Sequence, residues 1–136
     1  MFSVSQPQSP EEFEKYYALR YEVLRKLWNQ PIGSERDEQE NESIHAYIVE
    51  NNEVLAVCRL QMNDETTAQI RYMGVRDDMQ GKGLGRKIIQ YMEQVAHEKK
   101  AKKIILHARE NAVEFYKSCG YSIVEKSYIL FNKIQI

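Results

Sequence analysis

Cysteine is scarce in this chain: Cys58 and Cys119 are the only two, they stand far apart, and no Cys-x-x-Cys spacing occurs. That excludes a disulfide scaffold and a paired-cysteine motif. Proline (3) and glycine (6) are few as well, which rules out collagen-like and linker-like compositions. No apolar run approaches the roughly 18 residues that a membrane-spanning helix requires. A dominant charge is also missing, since 19 Lys and Arg against 20 Asp and Glu leave a formal net charge of -1. No bulk field therefore draws the chain onto nucleic acid or an anionic membrane, and neither is expected as a partner. Met1 is followed by no basic-then-apolar leader, so a reducing, cytoplasmic setting is expected. The three histidines and two cysteines show no ligand spacing, and no metal site is expected. What remains is 136 residues, 43% of them hydrophobic, the size and composition of one globular domain over residues 1–136.

Ser9-Pro10-Glu11-Glu12 reads as a helix start, with Ser9 at the N-cap, Pro10 at the first helical position and Glu12 completing a capping box. Phe13, Tyr16, Tyr17, Leu24, Leu27 and Trp28 then recur at helical spacing, and Pro31 and Gly33 end the segment. Ser34 to Ser43 is polar and without period, a loop or a short solvated helix. From Ile44 the period changes. Ile44 to Val49, Val54 to Leu60 and Ala68 to Val75 are strand-like runs separated by Asn51-Asn52 and by Asn63-Asp64-Glu65, an antiparallel meander. A glycine-rich turn, a helix from Leu84 to Lys99 and a strand from Lys103 to Ala108 make a β-α-β unit. A short helix, Asn111 to Ser118, is closed by Gly120, and Tyr121 to Leu130 opens a last strand region. The fold class is α/β in the mixed α+β sense, a mostly antiparallel sheet flanked by helices.

The segment Met73 to Gln90, MGVRDDMQGKGLGRKIIQ, places three alternate glycines at the opening of an amphipathic helix. Gly81, Gly83 and Gly85 let backbone N–H groups turn inward, the helix N-terminus adds unsatisfied donors, and Lys82 and Arg86 add charge. The segment is expected to hold a phosphate; an ordinary turn into a helix is its other reading. A Walker A loop fails because Arg86 stands five positions after Gly81, and a dinucleotide fingerprint fails because it needs glycine at that same position.

Gln80, Gly83 and Gly85 match motif A of the GNAT superfamily of N-acetyltransferases, Gln/Arg-x-x-Gly-x-Gly/Ala. Ala112-x-x-Phe115-Tyr116-x-x-x-Gly120-Tyr121 resembles the family's second cofactor motif, and the order of elements is similar over nearly the whole chain. Leu19 to Arg25 and Ala108 to Ala112 resemble an uncharacterised bacterial branch of the family. The resemblance implies a sheet splayed between the family's fourth and fifth strands. Into it acetyl-CoA would insert, with the backbone of Gly81, Lys82, Gly83, Leu84, Gly85 and Arg86 on its pyrophosphate and Gln80 beside it. Met73, Gly74 and Val75 would offer main-chain groups to the pantetheine arm and polarise the thioester carbonyl. It also implies a cofactor contact at Asn111, the asparagine nearest to a family position that Arg109 fills here.

By the same resemblance Tyr116 would protonate the departing thiolate, a task suited to a phenol at hydrogen-bonding distance. Packing as a core aromatic is its other reading. The general base is open between His107, whose side-chain type exchanges protons near neutrality, and a carboxylate acting through water, Glu110 or one in the Glu35 to Glu42 loop. That loop could also form an acidic lip for a cationic amine. The implied activity is acetyl transfer from acetyl-CoA to a primary amine by direct attack in a ternary complex. The alternatives are a non-catalytic acyl-CoA-binding module and a nucleotide-phosphate-binding regulator. The acceptor is a small-molecule or peptide amine, with polyamine, amino acid, antibiotic and protein N-terminus all open. Little sequence follows Phe131-Asn132-Lys133, so the final strand is expected to be short or borrowed from a neighbour in a homodimer.

Overall fold

The β-branched and aromatic runs become strands, the first five of which pair in the order in which the chain lays them down. The computed structural model describes residues 2–24, 31, 33, 36–108, 112–125 and 129–133, with backbone alone from 123 onward. Its elements are β1 (Val4–Ser5), α1 (Pro10–Leu24), β2 (Ile44–Glu50), β3 (Glu53–Met62), β4 (Thr67–Val75), α2 (Leu84–Glu98), β5 (Lys103–His107), α3 (Val113–Ser118), β6 (Ser122–Glu125) and β7 (Ile129–Lys133). They form one sheet in the order β1-β2-β3-β4-β5-β7-β6. β4 and β5 run parallel, and the other described pairs are antiparallel.

Local chemistry accounts for the boundaries. At the start of α1 the Ser9 Oγ accepts from the Glu12 N–H at 3.1 Å and Glu12 Oε1 accepts from the Ser9 N–H at 2.9 Å, the reciprocal capping box. Asn51 and Asn52 both have positive φ, 52° and 68°, which a type I′ hairpin turn requires. At the next turn Asp64 Oδ1 accepts from the N–H groups of Thr66 and Thr67 at 2.9 and 2.8 Å. Leu27 and Trp28, the expected continuation of the α1 stripe, lie outside the described residues.

The two faces of the sheet are covered by different helices. Leu84, Ile88, Ile89, Met92 and Ala96 of α2 are buried with Ala56, Cys58 and Leu60 of β3, and each large aliphatic chain contributes roughly 1.5–3 kcal/mol by leaving water. On the other face Tyr16 and Leu19 of α1 pack with Tyr47 and Val57. β3 is buried on both sides, so Val54 to Cys58 reads as a continuous apolar run rather than an alternating one.

The ends of the sheet differ from expectation. β1 precedes α1 and pairs with β2 through Val4 and Ser5, too short to leave a periodic signal. At the other end the chain makes two strands where one region was expected. β7 inserts between β5 and β6, and its five residues pair with Lys103 through His107. A buried strand such as β5 needs hydrogen-bond partners on both edges, and the chain supplies them itself. Of the two expectations for the final strand, short or borrowed from a neighbour, the first holds: β7 is five residues of the chain's own.

Candidate functional site

The glycine turn leads into α2 without a side-chain cap: the N-cap is Gly83, at φ 84°. Gly81 and Gly83 both have left-handed φ, 80° and 84°, and a Cβ at either would meet nothing within 4 Å. It is the backbone conformation, not space, that calls for glycine there. Gly85 is the opposite case, because a Cβ would lie 2.9 Å from Phe115 and 3.0 Å from the Met73 methyl. The consequence of this turn is that, among the described residues, none of the N–H groups from 81 to 86 finds a protein acceptor; the first helical bond is Lys87 N–H to Gly83 O, at 3.1 Å. Unpartnered donors at the positive end of a helix favour an anion.

These donors border a cleft of about 550 Å³, where Met73, Gly74, Val75, Gln80, Gly81, Gly83, Leu84, Gly85, Arg86 and Tyr116 all line the wall. The sequence-predicted cofactor residues are thus brought together, with two exceptions. Lys82 is exposed and not part of the wall, and Asn111, with Arg109 and Glu110, lies outside the described residues. The Gln80 side chain reaches Val75 O at 3.4 Å and ties the turn to the end of β4. Arg86 donates to Ser118 O and Oγ at 3.3 and 3.1 Å, which fixes its guanidinium between α2 and α3.

The cleft exists because two strands part. The β4–β5 ladder joins Thr67–Ile70 to Lys103–Leu106 and stops there, so the rest of β4 is paired on its β3 side alone. That pairing carries a bulge: Arg59 faces Arg71 and Val57 faces Gly74, so β4 has one residue more than β3 between them. Tyr72, inside the bulge, has φ 53°, a left-handed conformation that costs a side-chain-bearing residue about 1–2 kcal/mol. A bulge frees main-chain groups from the ladder and re-aims side chains. Here it does so at the mouth of the splay.

A second cleft, about 520 Å³, continues from the first. It shares Leu24, Met73, Ala112 and Tyr116 with it and adds Gln69, Arg71, Tyr72 and His107. Tyr116 stands at the junction, only 8% exposed, with its ring edge-on to Phe115 and Tyr121. Burial pushes its phenol well above the ordinary value, so it stays protonated. Its hydroxyl makes no hydrogen bond to another described residue. His107, at the open end of β5, is exposed and lines this second cleft.

Beneath the second cleft lies a polar cluster that the sequence reading missed. Arg20 of α1 and Arg59 of β3 are both completely buried. Arg20 grips both oxygens of Glu40 at 2.9 Å. Arg59 reaches both oxygens of Asp37, at 2.6 and 3.0 Å, and Glu40 Oε2 at 2.8 Å. Tyr72 lies between them, its ring centre 4.5 Å from the Arg20 guanidinium and 4.8 Å from that of Arg59. The Arg59 hydrogen bonds hold the Asp37 carboxyl down to about 2. Burial lowers His45, which bonds Glu40 O at 2.7 Å. Asp37 and Glu40 are therefore engaged inward, and do not form the expected acidic lip. Two signals were present in the sequence. Arg20 falls four residues after Tyr16 on the buried stripe of α1, and Arg59 interrupts the apolar run of β3.

Comparison with known proteins agrees with this geometry. The Acetyltransferase (GNAT) family profile matches residues 7–121. An uncharacterized N-acetyltransferase of Bacillus subtilis (strain 168), YjcF, is 29% identical over 123 residues, 90% of this chain and 87% of that protein. Escherichia coli ElaA superposes with a TM-score of 0.82 at 19% identity, covering 96% of this chain and 98% of its own. An aminoglycoside 6′-N-acetyltransferase solved with coenzyme A gives 0.81 at 15% identity, covering 98% of each chain. With the splayed sheet, the uncapped glycine turn and a family match over most of its length, the chain belongs to the GNAT family of acetyltransferases.

Proposed function

We propose that this acetyltransferase takes its acetyl group from acetyl-CoA and delivers it to a primary amine by direct attack, with both substrates bound at once. The observation that carries the reading is the continuity of the two clefts. Unpartnered backbone donors line one, and the free hydroxyl of a protonated, buried tyrosine stands where it opens into the other.

The residues present fit the donor. The N–H groups of residues 81–86 would hold the pyrophosphate, with Arg86 beside them, and the open edge of β4 at Met73 to Val75 would receive the pantetheine arm as an added strand. When bound, acetyl-CoA supplies an acetyl group activated as a thioester. Making the amide and releasing the thiol then require two protons to move. The proton leaving the amine is assigned to His107, which lines the second cleft; of the alternative carboxylates, Asp37 and Glu40 are held by arginines and Glu110 lies outside the described residues. The Tyr116 hydroxyl gives the one that the sulfur needs, from a site where burial has kept it protonated.

The test is Tyr116→Phe, assayed by thiol release over a broad panel of amines. We expect kcat to fall by about 100-fold or more, the range for loss of a positioned proton donor, while acetyl-CoA affinity measured by calorimetry changes little. Unchanged turnover would remove Tyr116 from the chemistry.

A further inference from the structure

The second cleft has a charge of its own. Among its described lining residues there is no carboxylate, and the one permanent charge is the Arg71 guanidinium. Arg71 differs from the two arginines below it. Those are fully buried and bound to carboxylates at short range, whereas the Arg71 side chain is 39% exposed. Its single ion-pair contact is a long one, 3.3 Å to Asp37 Oδ2. That same oxygen already accepts from Arg59 at 3.0 Å and from the Tyr72 hydroxyl at 3.3 Å. Asp37 is thus committed to Arg59, while Arg71, its guanidinium 5.0 Å from the Tyr72 ring centre, lines the cleft.

A guanidinium held in place, half open to solvent and weakly paired is suited to a planar anion, and a carboxylate matches its fork. The bulge fixes the position of Arg71: it lies just before Tyr72, two residues from Met73, at the end of β4 where the two clefts join. A polycationic amine would meet like charge there, with no described carboxylate in the wall to offset it. Resting on the acetyl-transfer reading above, we propose that the acceptor is an amine that also bears a carboxylate, of the amino-acid class, and that Arg71 selects it by pairing with that carboxylate.

The test compares matched acceptors: a panel of α-amino acids, the carboxamide of each, and a polyamine, assayed by thiol release with saturating acetyl-CoA. Converting the acid to the amide lowers the basicity of the amine and so raises its deprotonated fraction. An acid preference therefore runs against the chemical bias. Wild type should favour the acids over their amides by roughly 10- to 100-fold in kcat/KM, the worth of one charged hydrogen-bonded pair, and Arg71→Gln should collapse that ratio toward one, chiefly through KM. Arg71→Lys should restore part of it, and circular dichroism of both variants checks the fold. Amides or the polyamine performing as well as the acids would overturn the proposal, and so would a ratio that survives Arg71→Gln. If acetyl-CoA binds but no amine releases thiol, the transfer reading fails separately. Calorimetry on the CoA-loaded protein then decides the selectivity: acid binding that Arg71→Gln abolishes supports it, and equal or absent binding of acid and amide overturns it.

Discussion

The part of the cleft over residues 81–86 presents backbone N–H groups from one continuous stretch, whereas the part around Arg71 and His107 presents side chains and walls from α1, β4, β5 and α3. The first needs only a turn that glycines allow and a helix that starts without a cap. The second depends on how four elements meet and on a polar cluster, drawn from still further away, that props Arg71 and Tyr72 from below. On the function proposed above, the donor side can stay constant while the acceptor side is altered one side chain at a time.

The comparison is broken most severely from beneath the acceptor side. Arg59→Ala takes from Asp37 its main partner and from Glu40 one of its two guanidiniums, and breaking a pair that rests on a completely buried charge costs about 3–5 kcal/mol. Urea unfolding should show it as a lower midpoint, and a change below about 1 kcal/mol would mean that the cluster does not hold the region together. The donor side should respond differently. Gly83→Val puts a β-branched residue at φ 84°, with a strain of about 1–3 kcal/mol. Relief of that strain should re-aim the N–H groups and weaken acetyl-CoA binding roughly 5- to 150-fold by calorimetry. Undiminished affinity would show that the turn's conformation is not what binds the donor.

The smallest expected effect is a pH dependence. The Asp37 carboxyl is lowered from 3.8 to about 2, chiefly by hydrogen bonds from Arg59. A depressed acid contributes stability that is present above its unfolded value and lost as pH falls through its folded one. Wild-type stability should therefore drop between about pH 4 and pH 2, and Asp37→Asn should lack that part of the drop. The pair is partly exposed, so salt should shrink the difference further. An acid limb identical in both proteins would detach Asp37 from the stability of this side.

Much of this was legible in the chain. The capping box at Ser9, the Asn51-Asn52 hairpin, the meander and the uncapped glycine turn are decided by residues within a few positions of one another, and each appears where local chemistry places it. The final strand was not legible, because β7 pairs with β5 across α3 and β6. Nor was the fate of the acidic loop: a run of carboxylates looks the same whether it faces water or two buried guanidiniums. Arg59 stood visibly inside an apolar strand, but its partner lies 22 residues earlier in the chain.

The sequence by itself determined the uncapped glycine turn, since φ at Gly81 and Gly83 and the missing cap of α2 are local properties that no distant contact has to supply. Only the tertiary structure decided the second cleft. Where β4 leaves β5, which way the bulge at Tyr72 turns, and whether Asp37 or a substrate has first claim on Arg71 all depend on which distant groups burial brings within hydrogen-bonding distance.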